Sequence, residues 1–139
     1  LPLGHPVRIV DGDYVPERFY ALAKGLEDLP ERGLRCQKCI GHRLEETFRI
    51  ALQQPERPDY VCTTLTISPH KDAVFINTKG TELAQQYGIA WLPTDFKKKG
   101  GYQRSIVLSR EYDLYRQNFC GCVYSRLEAE RREKEMASS

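Results

Sequence analysis

Short stretches typical of strands alternate with longer stretches typical of helices, and this alternation constrains the fold more than any other feature. Residues 60–65 form the clearest strand, since they are rich in β-branched side chains and follow a loop that contains proline. Residues 7–10 and 89–92 are the other two predicted strands. Because helical stretches follow each of them, the pattern favours an α/β domain with a mostly parallel sheet flanked by helices.

The predicted helices have suitable residues at their ends. Pro16 suits the first turn of one helix, and Gly88 is a good residue to terminate another. The helix that starts near Arg35 carries apolar residues at helical spacing, which are predicted to be buried: Ile40, Leu44, Phe48, Ala51 and Leu52. The predicted helices cover residues 16–26, 35–53, 73–87, 102–112 and 123–135, with fraying expected from residue 136 onwards.

Two polar loops directly follow predicted strands. Residues 68–71 come after the strand at 60–65, and residues 95–101 come after the strand at 89–92. Ligands of open parallel sheets bind beyond the carboxyl ends of the strands. The sequence therefore places a functional site at these two loops.

Four of the five cysteines occur in two close pairs. Cys36 and Cys39 open a predicted helix with two residues between them, and Cys120 and Cys122 flank a glycine that lets the backbone turn tightly. Thiolates are soft ligands, and two of them on one helical turn reach a shared metal without strain. Four nearby cations would offset the negative charge of such a site: Arg35, Lys38, Arg43 and Arg116.

The cysteine spacing leaves three interpretations open. An iron–sulfur cluster accepts three or four cysteine ligands, and a structural zinc ion takes four in a closed tetrahedron. Redox-active or ordinary reduced thiols are the third interpretation. Cys62 lies within a predicted strand among Val and Thr, and is expected to be a buried apolar residue instead of a ligand.

Other residues at the predicted site carry weaker signals. His70 could act as an acid, a base or a ligand, although a histidine in a polar loop is often simply solvated. The Lys97, Lys98 and Lys99 run suits a phosphate-contacting loop or a solvated one. Aromatic and cationic residues interleave near the second cysteine pair, which suits stacking on an unpaired base or packing in the core: Tyr102, Arg104, Tyr115, Arg116 and Tyr124.

Length and composition indicate one domain over residues 1–139. A net charge of +2 does not by itself indicate a nucleic-acid partner. No apolar stretch approaches the roughly 20 residues of a membrane span, and no signal peptide is visible, so the five cysteines indicate a reducing, cytoplasmic location. Dinucleotide-binding glycines, a P-loop and a serine nucleophile elbow do not occur.

The joint set of motifs resembles the QueH family, the cobalamin-independent epoxyqueuosine reductases. The similarity runs in order from about residue 11 to residue 125. Its motifs are Arg35-Cys36-x-x-Cys39 with Arg43-Leu44-x-x-Thr47, then Thr63-Thr64-Leu65-x-Ile67-Ser68-Pro69-His70-Lys71, then Asp95-Phe96-Lys97-Lys98-x-Gly100-Gly101-Tyr102-Gln103-Arg104-Ser105, and finally Leu114-Tyr115-Arg116-Gln117-Asn118-x-Cys120-Gly121-Cys122.

The resemblance implies a reductase of tRNA modification. Its substrate would be epoxyqueuosine at the wobble position, its product queuosine, and its partners tRNA and an external electron donor. The implied cofactors are a 4Fe-4S cluster and an additional iron, held by Cys36, Cys39, Cys120 and Cys122. His70 and Tyr102 are candidates for proton delivery, and the candidates for tRNA contact are Lys71, Lys97, Lys98, Lys99, Arg104 and Arg116. The alternative is a zinc-stabilised, non-catalytic RNA-binding module.

The resemblance also implies a three-layer fold of the adenine-nucleotide hydrolase-like (HUP-like) type. Members of the family carry an adjacent Cys-Cys pair after their first strand, and this chain has none. The chain also starts without Met. We therefore expect an N-terminally truncated domain that lacks a strand and a helix, in which the metal site would be incomplete.

Overall fold

The computed structural model describes residues 6–117 and 119–138. Within these residues the chain forms five α-helices, two short strands and two single turns of 3₁₀ helix, at Leu65–Ile67 and Lys98–Gly100. The helices and strands, in chain order, are α1 (Pro16–Ala23), α2 (Leu34–Leu52), β1 (Tyr60–Val61), α3 (Ala73–Tyr87), β2 (Ala90–Trp91), α4 (Gly101–Glu111) and α5 (Val123–Ala137).

The strands β1 and β2 form a parallel pair connected through α3. Tyr60 lies opposite Ala90 and Val61 opposite Trp91, and the backbone N–H of Leu92 extends the pairing by donating to the Val61 carbonyl at 2.9 Å. Parallel neighbours need such a crossover connection. This β–α–β unit is compatible with the predicted α/β class.

The core lies between α2, α3 and the strand pair. Phe48 is completely buried, and its ring stacks on those of Tyr87 and Trp91 with centroid distances of 6.0 and 6.2 Å. The buried apolar residues of this core are Ile40, Leu44, Phe48, Ala51, Val61, Ile76, Leu83, Ile89 and Trp91. The apolar face predicted for α2 is thus confirmed except for Leu52, which is exposed.

Local chemistry fixes both ends of α3. The Asp72 carboxylate accepts a hydrogen bond from the Phe75 N–H at 3.1 Å, which caps the first turn. Gly88 ends the helix in the left-handed conformation, with φ of 74°. Within the helix, Gly80 lies against the indole of Trp91, and a Cβ atom there would stand 2.2 Å from two ring carbons. Trp91 therefore packs on α3 only because residue 80 has no side chain.

The strands are shorter than the sequence predicts. Residues 7–10 form no strand and are exposed, because no described strand lies beside them to accept their backbone hydrogen bonds. After Val61 the chain leaves the sheet, and the Thr63 hydroxyl accepts from the Leu65 N–H at 3.1 Å to start a 3₁₀ turn. Cys62 is exposed as a result, so its predicted burial is wrong.

The helix predictions differ from the structure only at their ends. The first predicted helix stops at Ala23 instead of residue 26, and α4 is displaced by one residue. The last helix continues to Ala137, so the predicted fraying is wrong at Met136 and Ala137, and Ser139, where fraying is also predicted, lies outside the described residues.

Candidate metal centre and adjoining cavity

A hydrogen-bonded network holds together the two loops that follow the strands. The Asn77 side chain accepts from the Trp91 indole N–H at 3.0 Å and donates to the Thr94 carbonyl at 3.0 Å. The Thr94 and Thr66 hydroxyls lie 3.0 Å apart, and the Lys97 N–H donates to the Thr66 carbonyl at 3.2 Å. The loops therefore lie side by side at one end of the sheet, where the sequence predicts a site.

The first cysteine pair lies on the first turns of α2. Cys36 is buried and Cys39 is half-buried, one turn further along the same helix. Residues three positions apart lie on the same side of a helix. The helix α2 therefore orients the two sulfurs toward the same side.

The second cysteine pair lies immediately before and at the start of α5. Cys122 is the N-cap of this helix, and its Sγ accepts from the Ser125 N–H at 3.3 Å. The buried Ser125 hydroxyl in turn accepts from the Cys120 N–H at 3.0 Å. Gly121 has φ of 105°, which L side chains rarely adopt, so the tight turn between the cysteines depends on glycine.

Both pairs face one cavity, which we call the cysteine cavity. Among the described residues no group of three or more His, Cys, Asp or Glu side chains is arranged to hold a metal ion. All four paired cysteines nevertheless line the same space, with three cations around it. The cysteine cavity is lined by Phe19, Arg35, Cys36, Cys39, Ile40, Arg43, Leu65, Lys71, Cys120 and Cys122.

Burial raises the pKa of the Cys39 thiol on α2 above its ordinary value. Arg43 opposes this shift through its charge and a hydrogen bond. The Cys120 and Cys36 sulfurs raise this pKa further. The mutual influence of the sulfurs agrees with their position around one cavity.

The thiols of the second pair shift in opposite directions. Burial would raise the pKa of Cys120, but the Cys122 backbone N–H and the Lys71 charge, with smaller side-chain hydrogen bonds, lower it overall. Burial raises the pKa of Cys122, which the hydrogen bond from the Ser125 N–H counteracts and the Cys120 sulfur reinforces. The pKa of Cys120 is therefore lower than that of Cys122, so Cys120 loses its proton first as the pH rises.

A second and larger cavity adjoins the first, and we call it the outer cavity. Its volume is about 870 Å³, which lies within the range of small-molecule sites. Lys71 and Cys120 line both cavities, so they form the boundary between them. The outer cavity is lined by Glu31, Ile67, Ser68, Pro69, His70, Lys71, Tyr102, Ser105, Arg116, Gln117, Phe119, Cys120, Ala129, Arg132, Glu133 and Met136.

Besides Lys71 and Cys120, the outer cavity contains three further residues that the sequence predicts for the site: His70, Tyr102 and Arg116. His70 is exposed there, and its backbone N–H donates to the Ser68 hydroxyl at 3.2 Å. The Arg116 guanidinium lies over the Tyr102 ring, with 5.7 Å between its carbon and the ring centroid. Arg116 also donates to the Ser109 hydroxyl at 3.1 Å, which orients this pair. The cavity wall thus offers an aromatic face and a planar cation.

Of the lysines predicted to contact RNA, two form ion pairs near the protein surface and two are exposed. Lys71 is mostly buried and pairs with Glu31 at 3.3 Å, and Lys97 lies 3.2 Å from an Asp95 carboxylate oxygen. The remaining lysines of the loop and one arginine are exposed and line neither cavity: Lys98, Lys99 and Arg104.

The sequence did not reveal two features of this site. Lys71 is a predicted RNA contact, but no sequence pattern indicates its pairing with Glu31, which lies 40 residues away. The sequence predicts Arg35 only as a nearby cation, yet this residue is only 2% exposed and forms part of the cavity wall. The apolar spacing carries no signal for this burial, because Arg35 lies on the opposite side of α2 from the core residues Leu44 and Phe48.

The donor set fits an anionic metal–sulfur group. Four thiols supply soft ligands, and the cations Arg35, Arg43 and Lys71 stand around them. Two buried nitrogens of Arg35, Nε and Nη2, have no hydrogen-bond partner in the part of the chain that the structure describes. Buried donors of a cation are usually satisfied, so these two nitrogens fit a negatively charged group in the cavity.

Comparison with known proteins identifies the family. The model of the family described as epoxyqueuosine reductase QueH matches residues 4–128. The chain belongs to the QueH family. The protein named epoxyqueuosine reductase QueH from Streptococcus pyogenes is 43% identical over 122 residues, which are 88% of this chain and 47% of that protein.

Two further QueH relatives show the same extent of similarity. The Staphylococcus epidermidis protein of that name is 40% identical over 124 residues, 88% of this chain and 51% of its own length. The Thermotoga maritima protein is 39% identical over 126 residues, 88% of this chain and 64% of its own length. The chain therefore spans about half the length of the two relatives from Streptococcus and Staphylococcus and 64% of the length of the Thermotoga relative.

None of the helices formed by the described residues combines the length and apolar character needed to cross a bilayer.

Proposed function

We propose that this chain is the metal-binding part of an epoxyqueuosine reductase, which reduces the epoxide of epoxyqueuosine at the tRNA wobble position and yields queuosine. Membership of the QueH family supports this proposal. The observation that carries it is the convergence of both cysteine pairs on one cavity that shares Cys120 and Lys71 with the outer cavity. A redox centre would thus adjoin a space large enough for a nucleoside.

We propose Cys36, Cys39, Cys120 and Cys122 as the ligands of a 4Fe-4S cluster, with an additional iron beside it. When bound, the cluster would supply electrons, received from an external donor, to the epoxide. Reduction of an epoxide to an alkene consumes two electrons and two protons and releases water. We propose His70 and Tyr102, which line the outer cavity, as the candidates for proton delivery.

The walls of the outer cavity suit a nucleobase. An unpaired base stacks on aromatic rings and on arginine planes, and the Tyr102–Arg116 pair offers both. The exposed Lys98, Lys99 and Arg104 are proposed to contact the tRNA backbone. Lys71 and Lys97 remain proposed RNA contacts, although each forms an ion pair with a carboxylate of the same chain and is only partly exposed.

Membership of the QueH family also supports a proposal about the fold. We propose that the β–α–β unit of β1, α3 and β2 is the central part of the sheet of a three-layer, HUP-like domain. A non-catalytic zinc module is the other function compatible with four thiols, and membership of a reductase family does not favour it.

The test is turnover of tRNA that carries epoxyqueuosine. The protein is purified without oxygen and incubated with the tRNA and dithionite, and the nucleosides of the digested tRNA are measured by mass spectrometry. Queuosine is expected with the unmodified protein and with Cys62→Ala, the control that removes an exposed thiol outside the cavity. Cys120→Ala should yield none. Equal turnover by Cys120→Ala would refute the assignment of the site.

A further inference from the structure

Arg35 uses only part of its hydrogen-bonding capacity within the protein. Its Nη1 donates to three backbone carbonyls of the loop after α1, those of Leu26, Glu27 and Leu29, at 3.1, 3.0 and 2.6 Å. Its Nε and Nη2 are buried and have no hydrogen-bond partner among the described residues. Since guanidinium carries five N–H donors, the donors of two nitrogens remain available.

The orientation of the guanidinium is fixed from two sides. The three carbonyls hold Nη1, and the ring of Tyr124 lies against the group, with 5.3 Å between the Arg35 carbon and the ring centroid. Arg35 therefore cannot turn its free nitrogens toward solvent without losing these contacts. Arg35 itself lines the cysteine cavity.

The contacts with the loop after α1 do not by themselves require an arginine at position 35. An ammonium group has three donors and could serve three carbonyls, whereas only arginine presents further donors in a rigid plane. Burial of unpartnered donors of a cation is unfavourable. The cost is offset when a negatively charged acceptor binds beside them, and the four thiols that line the same cavity would hold such a group.

We propose that Arg35 is a positioning residue of the metal centre: its Nη1 anchors it to the loop after α1, and its Nε and Nη2 donate hydrogen bonds to sulfur atoms of the cluster or of its cysteine ligands. This inference rests on the proposed iron–sulfur centre. Hydrogen bonds to cluster sulfurs stabilise the more negative, reduced state, so they raise the reduction potential.

The test is the reduction potential of the cluster in Arg35→Lys. Lysine keeps the positive charge and can retain contact with the loop carbonyls, but it lacks the Nε and Nη2 donors. We expect the reduction equilibrium to become at least tenfold less favourable, which is about 59 mV for one electron. The control is Arg49→Lys on the same helix, where the arginine pairs with Glu45 and Glu46 outside the cavity and the potential should not change.

Tyr124→Leu provides a second variant in case Arg35→Lys folds poorly. It removes the ring that orients the guanidinium and leaves the three carbonyl contacts in place, so it should lower the potential in the same direction but less. Thermal unfolding of each variant measures the structural contribution separately.

The outcomes separate this inference from the function on which it rests. A cluster of unchanged potential in both variants would overturn the role of Arg35 and leave the iron–sulfur centre intact. An unmodified protein without iron after reconstitution would overturn the proposed centre and, with it, this inference.

Discussion

The contact between Gly80 and Trp91 predicts that replacement of Gly80 by alanine destabilises the domain. The new Cβ would lie 2.2 Å from two carbons of the indole, whereas nonbonded carbons prefer roughly 3.5–4.0 Å. The indole cannot move freely, because its N–H donates to Asn77 and its ring stacks on Phe48. Either α3 moves away from β2, or Trp91 loses these contacts.

The magnitude follows from two opposing effects. Gly→Ala within a helix gains about 1 kcal/mol of helix propensity. Overpacking of a core costs about 1–3 kcal/mol, and loss of the indole hydrogen bond costs about 1 kcal/mol more. We therefore expect a net loss of about 2 kcal/mol in the free energy of unfolding, which lowers Tm by about 7 °C for a domain of this size.

Gly41→Ala is the matched control. Gly41 is also buried within a helix, α2, but a Cβ there would meet only the far end of the Lys79 side chain, at 3.4 Å. This variant should gain about 0.5–1 kcal/mol from helix propensity. Urea unfolding followed by the fluorescence of Trp91, the single tryptophan of the chain, measures both variants. If Gly80→Ala is as stable as Gly41→Ala, the described packing of α3 on β2 is wrong.

Three further predictions follow from the helix ends and the thiols. Asp72→Ala should cost about 1 kcal/mol in urea unfolding because the Phe75 N–H loses its cap, whereas Asp72→Asn should change little. Ser125→Ala should cost about 1–3 kcal/mol because the Cys120 N–H loses its acceptor; a change below 0.5 kcal/mol, on the order of an ordinary surface substitution, would argue against this hydrogen bond. In metal-free protein, iodoacetamide should modify Cys120 at lower pH than Cys39, since the pKa of Cys120 is lowered and that of Cys39 is raised; peptide mass spectrometry over a pH series measures the order, and the reverse order would contradict the assigned environments.

The helices could be predicted because their signals are local. The apolar spacing of α2 and the glycine at position 88 each act within a few residues, and the structure confirms both. The strand at residues 7–10 could not be predicted correctly, because a strand exists only where a neighbour accepts its hydrogen bonds. Cys62 has the sequence context of a strand, but the chain leaves the sheet one residue earlier, after Val61.

The candidate site was predictable as a set of residues and not as an arrangement. The cysteine spacing indicated shared ligation, and the positions of the loops after β1 and β2 indicated where the site lies. Which cations turn inward depends on partners far away in sequence, such as Glu31 for Lys71. The free nitrogens of Arg35 are visible only once the loop carbonyls that hold its third nitrogen are located.

The most direct test of the central claim is the metal content of the unmodified protein and two cysteine variants. Iron, acid-labile sulfide and zinc are measured with a visible spectrum after purification without oxygen, and again after reconstitution with iron and sulfide. We predict iron, sulfide and broad visible absorbance in the unmodified protein and in Cys62→Ala, and their loss in Cys120→Ala. Stoichiometric zinc without colour in all three, before and after reconstitution, would contradict an iron–sulfur centre in the cysteine cavity.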